Sequence, residues 1–524
     1  MGDDPGVERI RLAELVAALS LGVDLGFGQP MEHVLRQCLI ALRMAERLGL
    51  GEDERAVVYY TALLVNVGCH SDAHEQAKWF GDDIALKSGR YDTGLRAAAA
   101  AVRLIGSGSP PLHRFRVGLE FAVSGHRELS GMIAQHARLA RLLAEQLELP
   151  DSVAAAIGAA YEQWDGHGWP GELRADEVPI ASRIAQLAEY VEVAHRVGGV
   201  AAACALARKK GGKQFDPQLA ALLVADAETL LGGLDEVRTW ESVIDAEPAL
   251  TVLLSGPEFD QALLAVANFV DLKSPFTLGH ARGVAELAAE SARLSGLGPA
   301  DQRLLHRAGL AHGLGRLGVS NAIWDRPGPL SAGEWERVRM YPYITERMLR
   351  QSTALAPVGA LAVAHRERLD GSGYPRGLSG NAIAPAARIL GAAEAYQCKR
   401  EHRPHRAART ADEAAADLRG EVRAGRLDGA AVDAVLKAAG HRVARRPEGP
   451  AGLTAREVQV LRLLARGLSN KEIAHQLVIT PKTAGNHVEH IYAKIQASTR
   501  AAAGLFAMQH GLLPEEHLRA PSMH

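Results

Sequence analysis

The pattern E-x-x-D-G-x-G-aromatic-P occurs twice in this chain. One instance lies in YEQWDGHGWPGELRADEVPIASRIAQLAEY, from Tyr161, and the other in RERLDGSGYPRGLSGNAIAPAARILGAAEAY, from Arg366. In both, a leucine and then an R-I leading to A-E follow. Upstream, EHVLRQCLIALRMAERLGL (from Glu32) pairs with GHARGVAELAAESARLSGL (from Gly279), and LLVNVG (from Leu63) with LAHGLG (from Leu310). Downstream, GKQFDPQLAALL and AGRLDGAAVDAVL form matching ends. The upstream blocks lie further apart than the downstream ones, so the first copy carries an insertion that includes HSDAHEQAKWFGDD and the GSGSPP loop. Two copies of this size are tandem domains and not solenoid repeats, because each is long enough to bury its own core.

Most segments carry apolar residues at helical spacing. Val284, Leu287, Ala288, Ser291 and Leu294 share one face of a helix. Ala and Leu dominate and aromatics are only 5 %, which favours helix over sheet. The D-G-x-G-aromatic-P segments are exceptions. Glycine admits positive φ, and proline holds the preceding residue extended, so they read as rigid loops between helices. The expected fold is therefore all-α, with copies over 8–240 and 256–442. A Pro/Gly-rich linker, ARRPEGPAG within 443–452, precedes a last segment over 453–514.

The chain has 524 residues and a formal net charge of −2, so no global basic field draws it to nucleic acid or membrane. Cys38, Cys69, Cys204 and Cys398 form no CxxC pair, which points to a reducing compartment with buried thiols. The acidic start MGDDPGVERI is not a secretion signal, and no apolar run is long enough to span a bilayer. A cytoplasmic protein with no membrane partner is expected.

From Leu453 the sequence writes out its own helix starts. Thr454 with Glu457 and Ser469 with Glu472 are capping boxes, and Thr480 precedes Pro481 as an N-cap. The first helix buries Val458, Leu461 and Leu464. The second is short and buries Ile473, Ala474 and Leu477. A third runs from Pro481 to about Ile495, and a fourth follows Ser498. Short helix, tight turn, longer helix is the helix-turn-helix plan. Arg456, Arg462, Arg466, Lys471, Lys482, Lys494 and Arg500 outnumber Glu457, Glu472 and Glu489, which gives the phosphate-seeking patch that DNA binding needs.

This segment resembles the LuxR-type DNA-binding domain through LTxRExxVL, ARGLSNKEIA and KTxxxHVxxIYxKI. The resemblance implies double-stranded DNA as partner and a homodimer. It places Gly485, Asn486 and Glu489 beside the base edges, with Lys482, Thr483, His487 and Lys494 at the backbone. Asn can pair with adenine and Glu can accept from cytosine N4. Gly485 has no side chain to read with, and His487 fits a packing role equally.

The second copy resembles the HD-GYP family, through Gly279-His280, H-x-LGRLGV from His312, IWDRPGPLSAGEWERVR from Ile323, HRERLDGSGYPRGL from His365 and RILGAAEAY from Arg388. The resemblance implies a helical HD-type domain whose two or three metal ions hydrolyse cyclic dinucleotides such as cyclic di-GMP. Cations held side by side need a bridging carboxylate, and the family's bridging Asp is Gly313 here. Arg316, Tyr341, Arg366 and Glu394 replace the family's Lys, His, His and Asp. The surviving ligand set is His280, His312, His365 and Glu394. No cofactor is expected, and this set leaves room for at most one divalent zinc, iron or manganese ion. In the first copy Val65 and Asn66 replace the His-Asp pair, Ala160 and Tyr161 the paired His, and only His33 and Glu189 survive. The cluster CHSDAHE, Cys69 to Glu75, invites a metal reading, but a solvated helix start is the commoner explanation.

The expected function is a DNA-binding transcription regulator whose degenerate HD-type copies sense a ligand, such as a cyclic dinucleotide, or mediate dimerisation. The alternative is a metal-dependent cyclic di-GMP phosphodiesterase fused to a DNA-binding domain. Loss of the bridging carboxylate favours regulation.

Overall fold

The computed structural model describes residues 9–91, 102–106, 111–121, 126–248, 251–441, 449–497 and 499–512. Residues 107–110 of the GSGSPP loop, 443–448 of the expected linker, and Ser498 lie outside them. The chain forms two compact units, residues 1–441 and 442–524. Apart from two three-residue strands, the described regular structure is helical, so the all-α class stands. Among the described residues no helix is long and apolar enough to cross a membrane.

Within residues 1–441 the two copies align helix for helix. His33–Arg47 corresponds to His280–Leu294, Glu52–Leu64 to Pro299–Ala311, His126–Gln146 to Ala332–Leu349, and Asp151–Gly158 to Ala356–Ala362. Ile180–Lys210 corresponds to Pro385–Arg400. The repeat reaches further upstream than the matched sequence blocks. Helices Leu12–Gly26 and Gly256–Asp271 are also equivalent: Asp24 accepts from the Val34 amide (3.1 Å) and Asp271 from the Ala281 amide (2.9 Å). Each carboxylate ties its helix to the start of the next.

These two helices are also where the copies meet. Helix Leu12–Gly26 of the first copy packs on the 3-10 turn Leu314–Gly318 and helix Ala332–Leu349 of the second. Gly22 allows the approach, since a Cβ there would stand 2.5 Å from the Met348 terminal methyl. In return, helix Gly256–Asp271 packs on His126–Gln146, and the Phe269 carbonyl accepts from His70 Nε2 at 2.9 Å. Ahead of them, β1 (Arg9–Arg11) pairs antiparallel with β2 (Leu253–Ser255), Ile10 opposite Leu254. The contact is polar as well as apolar. Asp83, fully buried in the first copy, accepts from Lys87, from Lys273 (3.3 Å), from Ser320 Oγ (2.7 Å) and from the Asn321 amide (2.8 Å). A buried carboxylate is tolerated only when cations and donors surround it, and here the second copy supplies most of them.

The aromatic-Pro loops are held by one glutamate each, the first letter of the repeated motif. Glu162 accepts from the amides of Gly171, Glu172 and Leu173, and Glu367 from those of Arg376 and Leu378. Arg183 with Asp216 and Arg388 with Asp428 close the two copies at equivalent places.

In residues 442–524 the capping residues do what the sequence predicts: Thr454, Ser469 and Thr480 accept from Glu457, Glu472 and Thr483 amides. The helices are Ala455–Ala465, Asn470–Leu477, Pro481–Lys494 and Arg500–Gln509. Leu461, Leu464, Ile473, Ala484 and Ile491 form their shared core. Val478 makes the turn at φ 53°, an unfavourable conformation for a β-branched residue.

Candidate functional site

In the second copy three histidines converge from three helix boundaries. His280 opens its helix after Gly279, which is left-handed at φ 74°. His312 and His365 each follow the end of a helix, and each Nδ1 donates to the carbonyl three residues back, Gly309 and Ala362, at 2.6 Å. That bond fixes the tautomer and turns Nε2 inward. His280 Nε2 and His312 Nε2 stand 3.3 Å apart, and all three rings are fully buried.

The replacement residues complete a hydrogen-bonded chain. Arg366 Nη2 donates to Glu394 Oε1 (2.5 Å), Arg366 Nε donates to the Tyr341 hydroxyl (3.0 Å), and that hydroxyl donates to His365 Nε2 (2.5 Å). Arg403 donates to Glu401 at 2.7 Å and lies 3.3 Å from His280 Nδ1. Burial, then the Arg316 charge, depress His312 to about 4, so the imidazole is neutral near pH 7. Burial and nearby cations hold His280 and His365 down in the same way. For Glu394 burial works upward, but Arg366 first and then His280 outweigh it, and the carboxyl falls to about 2.

Beside this cluster opens a cavity of about 720 Å³, within the usual size of small-molecule sites. Its walls bring Arg316, Arg366, Lys399 and Arg403 together with Trp324 and Tyr374 of the aromatic-Pro loop. Cations with flat aromatic faces are the equipment for phosphate and nucleobase.

The first copy reaches a similar arrangement by another route. Glu189 accepts from Asn66 Nδ2 (3.1 Å) and from the Tyr91 hydroxyl (3.0 Å), and Arg90 Nη2 lies 3.7 Å away. Arg90 and Tyr91 come from the inserted segment. His33 pairs through Nδ1 with Glu192. The solvated reading of CHSDAHE is corrected. Cys69, His70 and Asp72 are buried, because the inserted segment packs down between the copies. His70 bonds Phe269, and half-buried His74 lies 2.8 Å from Asp325, so both histidines reach the second copy. His136, which carries no motif of its own, occupies the position equivalent to Tyr341. Extending the offset between Tyr161 and Arg366 upstream would have found it.

On the third helix of the C-terminal unit, Lys482, Thr483, Asn486 and Glu489 are exposed, and Gly485 and His487 half-buried. Lys494 is turned toward its own domain, 2.8 Å from Glu457 Oε2 and 3.1 Å from the Gly452 carbonyl.

Comparison with known proteins adds two family matches. Residues 123–219 and 265–431 match the HD domain, and residues 451–507 match the bacterial regulatory proteins of the luxR family. The chain is 32 % identical over 413 residues to the 3'3'-cGAMP-specific phosphodiesterase 3 of Vibrio cholerae, covering 77 % of this chain and 90 % of that protein. It is 32 % identical over 180 residues to the cyclic di-GMP phosphodiesterase response regulator RpfG of Xanthomonas campestris, 34 % of this chain and 47 % of that one. The crystal structure of the cyclic GMP-AMP specific phosphodiesterase V-cGAP3 of V. cholerae superposes with a TM-score of 0.58 and 28 % identity, over 83 % of this chain and 99 % of that chain.

These relatives correct the expectation that no cofactor is needed. Phosphodiesterases of the HD-GYP type are metal-dependent, so a metal is the group such kinship implies. The donors in this chain do not fit it as they stand. Gly313 offers no bridge, Tyr341 occupies the His365 lone pair, and a guanidinium takes Glu394 Oε1, leaving only Oε2 without a hydrogen-bond partner among the described residues. His280, His312 and His365 converge, yet among the described residues no group of three His, Cys, Asp or Glu side chains is arranged so that it could hold an ion.

Proposed function

Since the chain belongs to the HD-domain family and ends in a domain of the luxR regulatory family, we propose that it is a transcription regulator that binds a cyclic dinucleotide in its second copy and double-stranded DNA through its C-terminal unit. The copies span 8–240 and 256–442 and the DNA-binding unit 453–514, with a homodimer as the DNA-bound form. The observation that carries this reading is the cavity of about 720 Å³ lined by Arg316, Arg366, Lys399 and Arg403 with Trp324 and Tyr374. Two phosphates ask for cations and two bases ask for flat apolar faces, and this cavity supplies both.

Arg366 has two roles in this reading. It neutralises Glu394, which would otherwise repel an anionic ligand, and it presents its remaining donors to the cavity. Arg403, which contacts both Glu401 and His280, also lines the cavity. On the DNA side, Asn486 and Glu489 read base edges while Lys482, Thr483, His487 and Lys494 meet the backbone, Lys494 after leaving Glu457.

The test is calorimetric titration of the full chain with 3'3'-cGAMP and with cyclic di-GMP, paired with DNA affinity in the presence of each. Binding without turnover, together with a change in DNA affinity, is the expected result. The absence of binding by either nucleotide overturns it. A second reading, phosphodiesterase activity, is favoured by the identity to a 3'3'-cGAMP-specific phosphodiesterase over 90 % of that protein. Turnover of either nucleotide with added Mn²⁺ or Fe²⁺ would establish that reading in place of the first.

A further inference from the structure

The CHSDAHE cluster takes no part in the nucleotide or DNA reading, yet two of its residues meet on one partner. Asp72 Oδ2 stands 2.6 Å from His136 Nε2, and the Cys69 thiol also borders His136. The Tyr161 hydroxyl lies 2.8 Å from Cys69 Sγ and 3.2 Å from the Val65 carbonyl. The Arg90 guanidinium lies over the Tyr161 ring, 5.0 Å from its centroid. Cys69, Asp72 and His136 are each at least nine-tenths buried. Asp72 Oδ1 and His136 Nε2 are both buried with no hydrogen-bond partner among the described residues, so Asp72 meets His136 as a close ion pair.

Thiol, imidazole and carboxylate in this order are the parts of an activated nucleophile: the imidazole takes the thiol proton and the carboxylate orients and charges the imidazole. Burial pushes the Cys69 thiol up, but His136 first, and then Arg90, outweigh it, and the thiol falls below its ordinary range. Burial opposes charge on His136, yet Cys69 and Asp72 raise it to about 10. The other thiols lack this setting. Burial alone drives Cys38 upward, and Cys398 is only partly buried.

We propose that Cys69 is a peroxide-reactive thiol, a modification site in the first copy, with His136 as its proton partner and Asp72 as the residue that positions His136. The Cys69 sulfur attacks one oxygen of a hydroperoxide. The S–O bond forms as the O–O bond breaks, and the departing alkoxide or hydroxide takes the proton from His136. Sulfur is oxidised by two electrons to the sulfenic acid, and the hydroperoxide is reduced to alcohol or water. A hydroperoxide as small as hydrogen peroxide suits a thiol with only 5 % exposure. This site shares no residue with the cavity of the second copy, so it stands apart from the nucleotide reading.

The test treats the reduced full chain with hydrogen peroxide at pH 7 in the presence of dimedone and follows each cysteine by peptide mass spectrometry. Cys69 should be labelled at least tenfold faster than buried Cys38 and Cys204. Equal or slower labelling of Cys69 overturns the proposal. His136→Gln should slow Cys69 labelling tenfold or more, and an unchanged rate removes His136 from the mechanism. Should that variant fail to fold, thiolate absorbance near 240 nm in the unmodified protein decides independently. A native thiolate signal that Cys69→Ala abolishes supports the assignment, and its absence sinks it.

Discussion

The Arg366 guanidinium lies 2.5 Å from the Glu394 carboxylate, beside the three converging histidines of the second copy. In the first copy Arg90 stands 3.7 Å from the equivalent Glu189. The two arginines come from different places: Arg366 replaces a motif histidine, whereas Arg90 belongs to the insertion. A buried glutamate needs a cation, and each copy now supplies one from its own chain.

Truncating Arg366 should therefore be costly. Arg366→Ala leaves Glu394 buried and unpaired, and a loss of about 3–5 kcal/mol is expected in chemical denaturation. The double variant with Glu394→Ala should be far less than additive. Additive losses would mean that the two side chains do not act as a pair.

Acid should weaken the protein in two overlapping steps. The His312 imidazole is held neutral with its value near 4, below the ordinary 6.5, so the unfolded chain binds the extra proton as pH falls from about 6.5 toward 4. Glu394, near 2 in the fold, contributes stability that is present above about 4.5 and lost as pH falls toward 2. Stability followed by circular dichroism should decline through both windows. Because Asp24 and Asp271, raised to about 7 by burial, contribute in the opposite direction over the same window, the His312 ring is followed directly by NMR, and its protonation at about pH 6 would contradict the neutral imidazole.

Asp83→Asn should unlock the two copies. The substitution leaves Lys87 and Lys273 buried without their shared counter-charge, at a cost of about 3–5 kcal/mol. Thermal unfolding of residues 1–441 should then divide into separate transitions. A single unshifted transition would show that the apolar contact suffices.

The turn at Val478 holds removable strain. Val478 is 91 % exposed at φ 53°, so its side chain contributes little packing. Val478→Gly is expected to raise the stability of the C-terminal unit by about 1 kcal/mol. Destabilisation would indicate that the valine packs in a way its exposure does not suggest.

On DNA, Asn486→Ala and Glu489→Ala should each lower discrimination between operator sequences by about 1–3 kcal/mol. Lys482→Ala should weaken all sequences alike and reduce the salt slope by about one. Fluorescence anisotropy over a salt series separates the two effects. A uniform loss from Asn486→Ala would move that residue from base reading to backbone contact.

The linear chain was enough to establish the helical class, the duplication and the C-terminal unit, because each rests on local rules. Thr454, Ser469 and Thr480 cap helices wherever they precede them, and a loop held by Glu162 or Glu367 needs only the residues that follow it. The convergence of His280, His312 and His365 was implied by the resemblance to the HD-GYP family, not by the spacing of the residues themselves. What Arg90, Asp83, His136 and Cys69 do was decided only in three dimensions. Their partners are Glu189, Lys273, Asp72 and Tyr161, some close in sequence and others far, and burial selects them. Once a charge is taken from water it must find an opposite charge nearby; for Arg90 and His136 the packing inside the first copy determines which charge that is, and for Asp83 the packing of one copy against the other.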